Sequence, residues 1–145
     1  MLPRYNIITY MESMGKKLIE LRIATRSACN FEHGRGSGVT LRTKILYLLD
    51  QGARSPIELI EKLCMVKSNL AILCNKMVED GVIAKSKHAE DKRIISYNIT
   101  DKGREELNRT LETLDEKFKG VLTTEKEFEN AGKVLDEAVD LLSFI

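Results

Sequence analysis

The sequence predicts a mainly α fold interrupted by one small β-hairpin. Two observations predict it, and a third bears on what the chain meets. Apolar residues recur at steps of three and four through most of the chain, the period of a helix that buries one face. One short segment alternates instead, with Ile95, Tyr97 and Ile99 apolar, the period of a strand. Charge is also unevenly spread: residues 1–40 carry a net +3, residues 41–104 a net +4 and residues 105–145 a net −6, adding to the +1 of the whole chain. A polyanion would therefore meet the middle of the molecule, not its tail.

The elements follow in order. Residues 5–29 read as one long helix, because Ile7, Met11, Met14, Leu18, Leu21 and Ala28, with Thr25 filling the gap, form a heptad-like stripe. Gly34, Gly36 and Gly38 cannot continue a helix cheaply, so a flexible connection follows. Residues 41–50 form a short helix with Ile45, Leu46, Leu48 and Leu49 apolar, and Gly52 suits its end. Ser55-Pro56-Ile57-Glu58 opens the next: the serine accepts from exposed amides, proline fits the first helical position, and Glu58 reaches back in a capping box. Leu59, Ile60 and Leu63 are its buried face. In residues 67–80, Leu70, Leu73, Cys74 and Met77 stand at i, i+3, i+4 and i+7 and face the core, and Gly81 ends the helix.

Val82-Ile83 and residues 94–99 then read as two strands joined by a polar tip, residues 85–93. Thr100-Asp101 caps a long helix reaching about Gly120, striped by Leu107, Leu111, Leu114, Phe118 and Val121. Thr124-Glu125-Lys126-Glu127 is a second capping box. It opens a last helix to Ile145 striped by Phe128, Ala131, Leu135, Ala138, Leu142 and Ile145. Three short helices followed by a two-stranded hairpin make a winged helix-turn-helix. The fold class expected is thus mainly α with a small β-hairpin wing: a winged helix-turn-helix plus a terminal-helix dimerisation bundle. The long end helices could close on themselves, but acidic arms flanking a basic reader are better explained as a dimerisation bundle. Residues 1–38 are therefore expected to form the first dimerisation helix and linker, residues 39–103 the winged helix-turn-helix DNA-binding domain and residues 104–145 the C-terminal dimerisation helices.

Several function classes are excluded at this level. With 43% hydrophobic and 31% charged residues the balance is that of a globular chain, not a disordered one. No apolar run nears the roughly 20 residues of a membrane span, and residues 1–9 lack the pattern of a signal peptide, so a cytoplasmic protein with no membrane partner is expected. Cys29, Cys64 and Cys74 are odd in number and lack C-x-x-C spacing, and there are only two histidines, His33 and His88. Neither a disulfide framework nor a metal or other cofactor is expected. No phosphate-cradling glycine loop, H-E-x-x-H or nucleophile beside a base is found; the glycines at 34–38 lack the lysine and preceding strand of a P-loop. The chain does not read as an enzyme.

With Leu70, Leu73, Cys74 and Met77 turned inward, the fourth predicted helix presents Lys67, Ser68, Asn69, Ala71, Ile72, Asn75 and Lys76 outward. Serine and asparagine read base edges, asparagine is matched to adenine, and Lys67 reaches guanine or phosphate. By itself this is also what an ordinary solvated helix face looks like. The hairpin changes the weighting, because Lys85, Lys87, Lys92 and Arg93 stand against the single acidic pair Glu90-Asp91. Basic side chains on a protruding loop neutralise phosphates or enter the minor groove.

From Asp80-Gly81-Val82-Ile83 through Glu90-Asp91-Lys92-Arg93 to Asn98-Ile99-Thr100-Asp101-Lys102-Gly103, the sequence resembles the wing motif of the MarR (multiple antibiotic resistance regulator) family of transcription factors. The order of helices matches over nearly the whole chain. The resemblance implies a homodimer joined by N- and C-terminal helices, reading a palindromic operator in double-stranded DNA with one helix in the major groove and the wing in the minor groove. It further implies that Arg93 is the minor-groove arginine, that Asp91 braces the wing by pairing with a nearby basic side chain, and that Ser68 and Asn69 stand at the start of the reading helix. Many members release DNA when a small aromatic acid or xenobiotic binds, and others sense oxidants through a cysteine. Here Tyr5, Tyr10 and Phe31 are candidates to line an effector pocket, though plain core is the commoner role of such residues. Cys29, near Arg26 and Arg35, is a candidate sensor, and Cys64 and Cys74 read as small apolar fillers. Two features depart from the family pattern: Ile72 falls where many members carry a basic DNA-contacting residue, and residues 31–38 are richer in glycine. Ile72 is also what favours the rival reading, a winged helix that docks a protein and binds DNA weakly or not at all.

Overall fold

The computed structural model describes residues 4–29 and 39–145, with side chains described from residue 13 onward in the first helix. Among these residues lie six helices and two strands. In order they are α1 (Arg4–Ala28), α2 (Leu41–Asp50), α3 (Pro56–Leu63), α4 (Lys67–Glu79), β1 (Ile83–Lys87), β2 (Ile95–Ile99), α5 (Asp101–Val121) and α6 (Glu125–Leu142). The glycine-rich connection and Phe31 lie outside the described residues, as do the side chains of Tyr5 and Tyr10. No described helix is long and apolar enough to cross a membrane.

Helix starts obey the expected local chemistry. Thr40 accepts from the Thr43 amide at the start of α2. At α3, Ser55 Oγ accepts from the Glu58 amide at 3.3 Å while the Ser55 amide donates to Glu58 Oε2 at 2.9 Å. Thr124 and Glu127 make the same reciprocal pair at α6, and Glu127 Oε2 also accepts from the Thr123 amide at 2.7 Å. The amides of Thr123 and Thr124, helped by the hydroxyls of the same residues, hold the Glu127 carboxyl below its ordinary range.

Packing divides the chain into two compact units, Met1–Leu107 and Asn108–Ile145. The core of the first gathers Ile45, Leu46 and Leu49 of α2, Leu59 of α3, Leu70, Cys74 and Met77 of α4, Val82, Ile83, Tyr97 and Ile99 of the hairpin, and Leu107 of α5. Leu73 is only partly buried against it. In α1 the stripe residues Met14, Leu18 and Leu21 are exposed, with Ile19 and Ile23 beside them. In the second unit the predicted stripe is exposed too, through Leu111, Phe118 and Val121 and then Phe128, Leu135 and Leu142.

Two expectations need correction. The hairpin's first strand does not stop at Ile83: β1 continues to Lys87 and pairs antiparallel with β2, Lys85 opposite Tyr97 and Lys87 opposite Ile95. Lys85 and Lys87 are therefore strand residues, and the tip is the stretch between His88 and Ile94. Only Ile83 of β1 is buried, so hydrogen bonding extends the strand where no apolar pattern marks it. Cys64 is exposed rather than buried. It is the C-cap of α3 at φ 52° and ψ 44°, the left-handed conformation that turns the chain out of a helix.

Candidate nucleic-acid interface

The helix-turn-helix is built from α3, the Cys64 turn and α4. Cys64 donates its amide to the Ile60 carbonyl, and Val66, in extended conformation, leads into α4 without a side-chain cap. Leu70, Cys74 and Met77 anchor one face of α4 in the core. The opposite face is solvent-exposed at all seven predicted positions, Lys67, Ser68, Asn69, Ala71, Ile72, Asn75 and Lys76. Burial holds Cys74 as a neutral thiol, its pKa pushed up to about 11.

The far end of α4 is clamped. Arg42 of α2 donates Nη1 to Asp80 Oδ2 at 2.6 Å, and Nε and Nη2 to Glu106 of α5 at 2.8 and 2.9 Å. The Glu106 carboxylate above all, with Asp80, holds the guanidinium charged against its partial burial, and Arg42 in turn holds the Asp80 carboxyl below its ordinary range. A forked guanidinium suits this task because its donors are fixed in one plane. Sequence reasoning missed the clamp, since its partners lie 38 and 64 positions apart and share no period.

Gly81, at φ +76°, then turns the chain into the hairpin. Thr100 closes the other end: its hydroxyl donates to the Gly81 carbonyl at 2.6 Å and accepts from the Gly103 amide at 3.1 Å. A side chain on Gly103 would place its Cβ 2.1 Å from the Val82 carbonyl oxygen, so α5 and the hairpin meet there only through glycine. The structure thus supplies the physical reason for the Thr-x-x-Gly spacing. Arg54 adds a short bridge to Tyr97 of β2, with N–H···O distances of 2.8 and 3.2 Å.

At the wing tip Asp91 accepts from the Arg93 amide at 3.0 Å and from Arg93 Nε and Nη2 at 3.1 and 3.3 Å. The Arg93 side chain is nevertheless 92% exposed. These bonds, the guanidinium's first, hold the Asp91 carboxyl below its ordinary value. Lys85, Lys87 and Lys92 are exposed on the same hairpin.

A second feature lies at the end of α1. Arg22, Thr25, Arg26, Cys29, Val39 and Lys44 line an open cavity of about 340 Å³. Cys29 is partly buried there. Among the described residues no group of His, Cys, Asp and Glu side chains is placed to hold a metal ion.

No family model matches the sequence, and no curated protein matches it. Solved structures do match. The transcriptional regulator BldR of Sulfolobus solfataricus is 23% identical, with a TM-score of 0.57 over 94% of this chain and 99% of its own. The YusO protein of Bacillus subtilis is 14% identical, with a TM-score of 0.59 over 96% and 99%. BpsR of Bordetella bronchiseptica, whose DNA binding is regulated by 6-hydroxynicotinic acid, is 17% identical, with a TM-score of 0.59 over 87% and 92%. These neighbours are MarR-family-like regulators. By fold, therefore, this chain is a winged helix-turn-helix, the architecture it shares with these structures.

Proposed function

We propose that the chain is a dimeric, sequence-specific DNA-binding transcriptional regulator of the cytoplasm, a repressor relieved by a small-molecule effector. The observation that carries this reading is the pairing of two surfaces. The face of α4 opposite the core is open and lined with Ser68, Asn69, Asn75 and two lysines, and the hairpin that follows it is basic. Lys67, Ser68, Asn69, Ile72, Asn75 and Lys76 meet the major groove. Arg93 enters the minor groove, Lys85, Lys87 and Lys92 meet phosphates, and Asp91 shapes the loop that presents Arg93. Residues 39–103 are the reading domain, and residues 1–38 and 104–145 the dimerisation arms. In the cavity at the end of α1, Arg22, Arg26 and Lys44 offer three positive charges, which suits an effector carrying a carboxylate.

The test is titration against random duplex DNA over a range of salt. Phosphate neutralisation releases counterions, so affinity should fall steeply, with a log–log slope near −0.9 for each phosphate contacted. The rival, a winged helix that docks a protein, rests on the 70% exposure of Ile72, and flat or absent duplex binding would put it first.

A further inference from the structure

We infer that Ile72 reads the C5-methyl group of a thymine in each half-site, a step that rests on the placement of α4 in the major groove. At about 100° per residue, Ile72 falls opposite the midpoint of Leu70, Cys74 and Met77, so it is the centre of the open face and not its margin. Its i±3 and i±4 neighbours are Asn69, Ser68, Asn75 and Lys76, all exposed. The face is thus an apolar knob ringed by groups that hydrogen-bond. Isoleucine does nothing for the helix itself, being β-branched and a weaker helix former than alanine, and it takes no part in the core, being 70% exposed.

Lying at the centre of the face, Ile72 reaches the groove floor first. There the base edges offer donors and acceptors, and thymine alone adds a methyl group. Against a guanine or cytosine edge Ile72 would strip water from polar groups and return no hydrogen bond, which is unfavourable. Against thymine it covers apolar surface on both sides. Glu79 lies on the same side as Ile72 at the C-terminal end of α4 and is exposed. Its charge keeps that end away from phosphate, so the N-terminal part of the helix, with Ile72, enters the groove.

The experiment uses the full-length protein and a duplex enriched by it from a random pool. Each thymine in turn is replaced by deoxyuridine, which lacks only the methyl group. One position per half-site should weaken binding about fourfold, the value of one buried carbon, and about fifteenfold when both half-sites are substituted. In Ile72→Ala the thymine and uracil duplexes should bind alike. The inference is overturned if no position responds to uracil, or if Ile72→Ala responds as the parent does. Because the change is made in the DNA, folding of a variant cannot account for the loss in the parent protein. A protein that enriches no duplex and shows no salt-dependent binding brings down the groove placement as well, the result expected of a protein-docking face; a protein that binds tightly yet ignores uracil brings down the methyl contact alone.

Discussion

Asp91 and Arg93 pose a question of sign. The carboxylate removes positive charge from the wing, yet three bonds to Arg93 fix the shape of the tip. Arg93→Ala should weaken binding to specific and random duplexes alike, by about 1–3 kcal/mol. If the brace governs, Asp91→Ala also weakens binding; if net charge governs, it strengthens it. Titrating both variants on two duplexes decides between them, and parent-like affinity of Arg93→Ala on both would remove the wing from the interface. The brace is insensitive to pH near neutrality. The carboxyl is held below its ordinary 3.8, so the bonds are intact above that value and are lost only as pH falls through the lowered one. The cysteines give a second residue-scale check. Cys64 is exposed, whereas Cys74 is fully buried and held as a thiol. A thiol reagent should label Cys64 in the folded protein and reach Cys74 only on unfolding, since the thiolate is the reactive form. Rapid labelling of Cys74 in native buffer would contradict the packing of α4.

The junction between the hairpin and α5 depends on one glycine. Gly103→Ala drives a methyl group into the Val82 carbonyl, and overpacking of this kind costs about 1–3 kcal/mol or more. Gly120, later in the same helix, meets nothing within 4 Å, so Gly120→Ala should instead gain about 0.5–1 kcal/mol. Urea midpoints of the two variants should move in opposite directions; a shared direction would mean that helix propensity, not the close approach, governs the junction. These elements also mark how far the sequence could be read. The helices from α2 to α6 were legible because a 3.6-residue stripe coincides with a capping residue at most of their starts, as at Ser55 and Thr124. The outward face of α4 followed from its inward one. The outer half of β1 was not legible, because Ala84, Lys85, Ser86 and Lys87 are all exposed and leave no alternation to see. Cys64 misled for a similar reason: it closes an apolar stripe, but its left-handed backbone turns it to solvent. The Arg42 clamp is a tertiary fact that no local pattern encodes.

At the scale of the whole molecule the unsolved problem is apolar surface. Met14, Leu18 and Leu21 on α1, Leu111 and Phe118 on α5, and Phe128, Leu135 and Leu142 on α6 are all between 37% and 51% exposed in the single chain. Burying such surface is favourable by roughly 25 cal/mol per Å², and an apolar stripe left open along a helix is the kind of surface by which one chain meets another. The occupant we propose is a second copy. Deleting residues 125–145 should then give monomer or aggregate, and a compact full-length monomer at micromolar concentration would exclude the dimer. A two-fold dimer presents the same patch twice, so two α4 helices enter successive major grooves on one side of the duplex. Half-site centres should lie about one helical turn, roughly 10 bp, apart in an imperfect palindrome. Inserting about half a turn, roughly 5 bp, between the half-sites rotates one to the far side of the duplex, and affinity should fall to that of a single half-site. Hydroxyl-radical footprinting would show two protected half-sites on the parent duplex and one on the insertion duplex. Equal protection of both after insertion, or a single asymmetric half-site on the parent, would mean that each protomer binds alone and that the exposed arms serve another purpose.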